Sequence, residues 1–166
     1  MPNQNPTTTL KIICIVMMTA FLSHCGYKRV DVEKEVREPA RDNDSLIQVS
    51  PMVPAAVFAL INEADIQMSE GQVKLAILTL KRALSISPAS ALVQQHLSEA
   101  FLSDADYKQA LYWSTLVVNQ GPDQGALCER SRRTQALAAE LLNEVAVQAR
   151  ALDAIADCTT KKPAQY

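Results

Sequence analysis

The 166-residue chain is short of aromatics (5%) and has only four glycines, against 48% hydrophobic residues. Sheets draw on aromatic and β-branched side chains and tight hairpins on glycine, so these shortages favour a helical core packed with alanine and leucine. The net charge of −2 gives no electrostatic case for nucleic acid. No glycine-rich phosphate loop, no Gly-x-Ser-x-Gly and no Cys-x-x-Cys occurs. Past residue 25 the one histidine is His96, with no cysteine or carboxylate at metal-ligand spacing. Two carboxylate pairs, Glu63 with Glu70 and Asp104 with Asp106, fall at helix ends or turns, where no pocket for sugar hydrolysis is implied. The expectation is a protein without catalysis, metal or cofactor, long enough for one modest domain plus appendages.

Between Val57 and Pro122 one pattern is written twice. The first copy is Ala64-x-x-Gln67-x-x-x-Gly71-x-Val73-x-x-Ala76-x-x-x-Leu80-x-x-Ala83, closed by Pro88. The second is Ser98-x-x-Phe101-x-x-x-Ala105-x-Tyr107-x-x-Ala110-x-x-x-Ser114-x-x-Val117, closed by Pro122. The offset is constant, with 110 − 76 and 122 − 88 both equal to 34. A period of that length belongs to helix-turn-helix arrays. Small residues (Ala64, Ala76, Ala83, Ser98, Ala110) mark close helix approach, and Leu80, Phe101 and Tyr107 fill the space between helices. Proline cannot continue a helix, so Pro88 and Pro122 end the second helix of each copy. The spacing predicts helices over 55–69, 73–86, 90–102 and 105–119, with Asp104 or Asp106 capping the last.

This pattern resembles the tetratricopeptide repeat family. The resemblance implies an all-α fold over residues 55–158, a short α-solenoid of antiparallel helix pairs with a C-terminal capping helix or helical hairpin. It also implies that the first helix of each pair lines a concave groove for a protein partner. By repeat position the first unit contributes Phe58, Ile61, Asn62, Asp65 and Met68, and the second Leu92, Gln95, Glu99 and Leu102. A third unit in phase adds Glu129 and Arg133. For Phe58, Ile61 and Leu92 the plainer alternative is packing between units, and for Asp65 and Glu99 ordinary solvated charge. Ile61 and Asp65 stand where some members carry residues that clamp a C-terminal carboxylate, which argues against a chaperone-tail receptor. Two repeats rarely close a core alone, so the chain after Pro122 is expected to cover the last helix.

The N-terminus reads as a targeting segment over residues 1–24. Lys11 precedes the apolar run Ile12 to Leu22. Those eleven residues span about 16 Å as helix, roughly half a hydrocarbon core, as in a signal peptide. The run ends in Leu22-Ser23-His24-Cys25-Gly26, which resembles the lipobox of bacterial lipoproteins, with His24 as its departure. The resemblance implies acylation of Cys25, a lipid anchor in the outer membrane, and a domain facing the periplasm. Residues 25–54 follow as a charged stretch broken by Pro39, Pro51 and Pro54. It reads as a flexible tether, with a transient helix over 30–37 and a docking peptide as the sharper alternative.

Past Pro122, Leu127, Thr134, Leu137, Leu141, Val145, Ala149, Leu152 and Ile155 keep a helical phase. One long capping helix would hold Cys128 and Cys158 about 45 Å apart, beyond the ~4–7 Å between Cα atoms that a disulfide needs. A hairpin turning at Asn143, the midpoint, would let them pair as expected in an oxidising compartment. The hairpin is the favoured expectation and the single helix its alternative. Arg130, Arg132 and Arg133 form a basic run, read as a solvated face or a patch for an acidic partner. Residues 159–166 read as a disordered tail. The expected function is a membrane-tethered adaptor for another envelope protein, with an assembly factor resembling pilotins or a self-associating spacer as alternatives.

Overall fold

The structure is a computed structural model and describes residues 30–49 and 51–161. Residues 1–24, Cys25 and the last five residues lie outside that range, and with them the targeting segment and the lipidation position. Among the described residues there are seven helices, a terminal 3₁₀ turn and no strand. The first, α1, is π-wound over Glu33–Arg37 and α-helical over Glu38–Arg41. Then come α2 (Ala55–Ser69), α3 (Val73–Ile86), α4 (Ala91–Ser103), α5 (Tyr107–Gln120), α6 (Gly125–Leu141) and α7 (Val145–Asp153). No described helix is long and apolar enough to cross a membrane.

From α2 to α7 each helix packs on the next, and α2 also touches α4 and α4 touches α6. The repeated small residues explain these approaches: Ala64, Ala76, Ala83, Ser98 and Ala110 are all buried, with Leu80 and Phe101 between them. Leu80, Leu97 and Leu102 are the largest apolar side chains fully out of solvent. Each contributes about 1.5–3 kcal/mol of transfer free energy. Side-chain caps start α4 and α5, with Ser90 accepting from the Val93 N–H and Asp106 from the Gln109 N–H.

The same turn is built three times. The residues 70–72, 104–106 and 142–144 separate α2 from α3, α4 from α5 and α6 from α7. Gly71, Ala105 and Asn143 hold the left-handed position, with φ of 76°, 57° and 60°. In each turn the following N–H reaches back to close the helix: Gln72 to the Gln67 carbonyl, Asp106 to Phe101 and Glu144 to Ala139. This double-bonded closure satisfies carbonyls that a helix end leaves orphaned. Asn143 therefore divides residues 125–153 into two helices, and the single long helix is not formed. Cys128 and Cys158 are disulfide-bonded, with 5.6 Å between their Cα atoms.

Two expectations need correction. Residues 30–41 are not a flexible tether. Val32, Val36 and Ala40 recur every four residues, form one helical stripe and are buried, Val36 completely. The helix lies beside α6, and burial of the stripe, with Val32 and Val36 in the main apolar core, offsets the ordering entropy that the surrounding charges alone would not. The π-wound start accommodates Pro39: the Glu38 N–H bonds the Glu33 carbonyl five residues back, next to the point where proline lacks a donor. The tail is also ordered at its start. The Leu46 N–H donates to the Thr160 carbonyl at 3.0 Å and the Thr160 N–H to Ser45 Oγ at 2.9 Å.

Candidate functional site

Asp65 on α2 and Glu99 on α4 converge on one guanidinium, that of Arg37 on α1. Arg37 Nε donates to Glu99 Oε2 at 2.7 Å, and Nη2 to Asp65 Oδ1 at 2.9 Å. Arg130 on α6 closes on Glu99 from the other side, Nε to Oε1 at 2.9 Å and Nη2 to Oε2 at 2.8 Å. Gln95 Nε2 adds a donor to Glu99 Oε1 at 2.8 Å and is itself 3.0 Å from Thr134 Oγ1. Three helices, α1, α4 and α6, thus meet at a carboxylate that is 0% exposed, and α2 joins them through the Asp65–Arg37 bond. Such charge-assisted, fork-shaped contacts are the strong class of hydrogen bond.

The electrostatics follow from burial and partners. Desolvation pushes the Glu99 carboxyl upward, but Arg130 and Arg37 outweigh it and hold it well below the usual carboxylate range. Asp65 is likewise depressed, against its own desolvation, by His96 and Arg37. Burial lowers Arg37, yet Glu99 and Asp65 overcompensate and raise it further. His96 is depressed because it is buried, with Asp65 opposing. Its Nδ1 lies 3.1 Å from Asp65 Oδ1 and 3.3 Å from Arg37 Nη2. A neutral ring serves one at a time, donating to Asp65 or accepting from Arg37.

Beyond α1 the chain continues as a strap over the start of α6 and the residues that follow Cys158. Asn43 Nδ2 reaches Glu129 Oε2 at 2.7 Å and Thr159 Oγ1 at 3.1 Å, and the Ala126 N–H donates to Gln48 Oε1. Glu129 also accepts from Arg133 Nε at 2.8 Å. Gly125 (φ 80°) lies under the strap, where a Cβ would come within 2.7 Å of Gln48 Oε1. A cleft of about 430 Å³ runs beside the start of α1, lined among others by Val30, Glu33, Arg37, Asp65, Met68 and Val73.

The expected partner-binding residues divide into three groups. Phe58 and Asn62 are exposed, and Met68 and Leu92 are half-buried. Ile61, Leu102 and Gln95 are buried, the first two in the apolar core, so they support the face rather than form it. Asp65 and Glu99 belong to the Arg37–Arg130 ion-pair network, so the plain solvated-charge reading of these two does not hold, while Arg133 forms a separate pair with Glu129 under the strap. Two of the three arginines in the basic run are paired, Arg130 with Glu99 and Arg133 with Glu129, so these two are not a free basic patch. Arg37 was missed altogether, as were the roles of His96 and Arg130. The signal for Arg37 was present in Val32, Val36 and Ala40, a stripe of small aliphatics at helical spacing inside a charged stretch.

No protein-family model matches this chain, and a search of curated proteins returned no match.

Proposed function

We propose that the chain is a membrane-tethered adaptor lipoprotein, a short tetratricopeptide-like solenoid whose concave groove binds a helical segment of another envelope protein. The observation that carries this is Arg37 on the face of α2, α4 and α6. That face already holds one helix, α1, through Asp65 and Glu99. The 34-residue repeat and the three alike turns at Gly71, Ala105 and Asn143 support the solenoid reading. The lipobox-like Leu22-Ser23-His24-Cys25 supports the anchor. Cys25 and Val32 are 7 residues apart (32 − 25), at most about 25 Å of chain. A docked α1 therefore keeps the domain close to the membrane, and release of α1 lengthens the tether.

Photo-crosslinking from Phe58 or Asn62 in intact envelopes tests this, with Asp65→Lys as comparison. A discrete crosslinked species that Asp65→Lys abolishes is the expected result. Equal capture by both proteins would sink the groove reading. Intact mass of the envelope-extracted protein tests the anchor separately, through loss of residues 1–24 and acyl chains on Cys25.

A second reading, self-association, is favoured by exposed Ile66, Leu75, Leu78 and Ile86 on the first helix pair. Such a patch marks an interaction surface when contiguous. Sedimentation across a concentration series decides it, and a monomer throughout rejects it.

A further inference from the structure

We infer that the partner's docking segment is a helix bearing an arginine beside small aliphatic residues, and that it binds by replacing α1. This rests on the groove reading above and specifies its ligand. Glu99 is fully buried and takes donors from two guanidinium groups, Arg37 and Arg130. Losing Arg37 would leave Glu99 with Arg130 alone and Asp65 with His96 alone, whereas an equivalent guanidinium in its place keeps both carboxylates fully paired. The groove therefore exchanges one guanidinium for another and does not stand empty. Lysine is a poor substitute, because Arg37 spans Glu99 and Asp65 with two nitrogens of one planar fork.

The footprint of α1 sets the rest of the recognition pattern. Three small side chains are buried, Val32, Val36 and Ala40, at four-residue spacing, with the arginine directly after the middle one. Asp31, Lys34, Glu35, Glu38 and Arg41 are exposed, so they impose nothing on a replacement. α1 is joined to α2 through residues 42–54, which gives it an effective concentration on the order of millimolar. A partner making only the same contacts would need that concentration to compete. The natural segment must therefore touch more than α1 does, and the cleft beside Met68 and Val73, with exposed Phe58 and Asn62, supplies the additional surface.

The probe is a synthetic, isotopically heavy peptide copying residues 30–41, with a second peptide in which its arginine is alanine. Binding is followed by fluorescence anisotropy on the full chain and on a Val36→Asp/Arg37→Ala variant that evicts α1, its fold checked by circular dichroism. The evicted chain should bind the arginine peptide at least 100-fold more tightly than the unaltered chain, and the alanine peptide at least 30-fold more weakly. Equal binding of both peptides overturns the arginine requirement while leaving the groove reading intact. No binding of either peptide to a folded evicted chain overturns both. Hydrogen exchange on the unaltered chain needs no variant. Saturating heavy peptide should speed exchange at the α1 amides at least tenfold, and unchanged exchange overturns the replacement. A dimer of the unaltered chain that the peptide dissociates would make the occupant a second copy and overturn the assignment to another protein.

Discussion

Arg37 and Glu99 stand 62 residues apart in the chain and 2.7 Å apart in space, the arginine side chain 18% exposed and the glutamate not at all. The contact ties the segment before the helical domain to its centre. It decides that residues 32–41 belong to the fold.

Removing either partner should have unequal effects. Glu99→Ala leaves Arg37 and Arg130 facing each other without their shared anion, and should destabilise by about 3–5 kcal/mol. Arg37→Ala leaves Glu99 with Arg130 and should cost about 1.5–3 kcal/mol, the range for hydrogen bonds to charged groups. Urea unfolding of both single variants and the double variant measures this. The double variant should be less destabilised than the sum of the two, because the sites share one network.

Acid should weaken the fold in two stages. The imidazole of His96 is depressed by burial, so the unfolded chain binds its proton first as pH falls below about 6.5, and stability is lost from there downward. Asp65 and Glu99 are depressed as well, by His96 and Arg37 for Asp65 and by Arg130 and Arg37 for Glu99. Their contribution is complete above the unfolded carboxylate range near pH 4, begins to be lost as pH falls below that range, and is lost progressively down to their lowered folded values. Thermal melts from pH 8 to 3 should show a plateau, then a decline. His96→Gln should remove the upper part of that decline, and a profile unchanged by the substitution would exclude His96 as its source.

Reduction of the Cys128–Cys158 bond should cost about 3–4 kcal/mol by the loop-entropy relation for a separation of 30 residues. The effect should extend past α7. Thr159 and Thr160 follow Cys158 directly and hold Asn43, Ser45 and Leu46 of the strap. Amide exchange at residues 43–48 should therefore rise on reduction, or in a Cys128→Ser/Cys158→Ser variant. Protection unchanged there would show the strap to be independent of the disulfide.

The three left-handed turn positions hold glycine, alanine and asparagine. A side chain with a Cβ costs about 1–2 kcal/mol in this region, partly offset by the greater unfolded entropy of glycine. Ala105→Gly should raise stability by about 0.5 kcal/mol, and Gly71→Ala should lower it by about 1 kcal/mol. A Cβ at Gly71 would meet nothing within 4 Å, so that cost would be conformational alone. Chemical denaturation of the two variants should move in opposite directions.

Much of this was legible before any coordinates. The ranges expected for the first two helices match α2 and α3 residue for residue, and the next two differ from α4 and α5 by one or two positions. Those helices carry dense apolar periodicity and explicit stops in Gly71, Pro88 and Pro122. Asn143 between two equidistant cysteines was as plain a signal, because a disulfide restricts geometry severely. α1 was not legible, since charge and proline dominate its composition and its stripe consists of only three small residues. The groups that hold it in place, the core that covers the stripe and Glu99 and Asp65 that bind Arg37, lie far off in sequence.

The sequence by itself determined the helices α2 to α7, their turns and the residues that let them approach, because those depend on local periodicity and backbone preference. Only the tertiary structure decided which charges are buried and what occupies the face they form. Arg37, Asp65, Glu99 and Arg130 each read locally as a solvated surface residue. The partners that Arg37 reaches across the fold are 28 to 62 positions away and that of Arg130 is 31, and the energy of a buried charge depends on what the fold brings beside it.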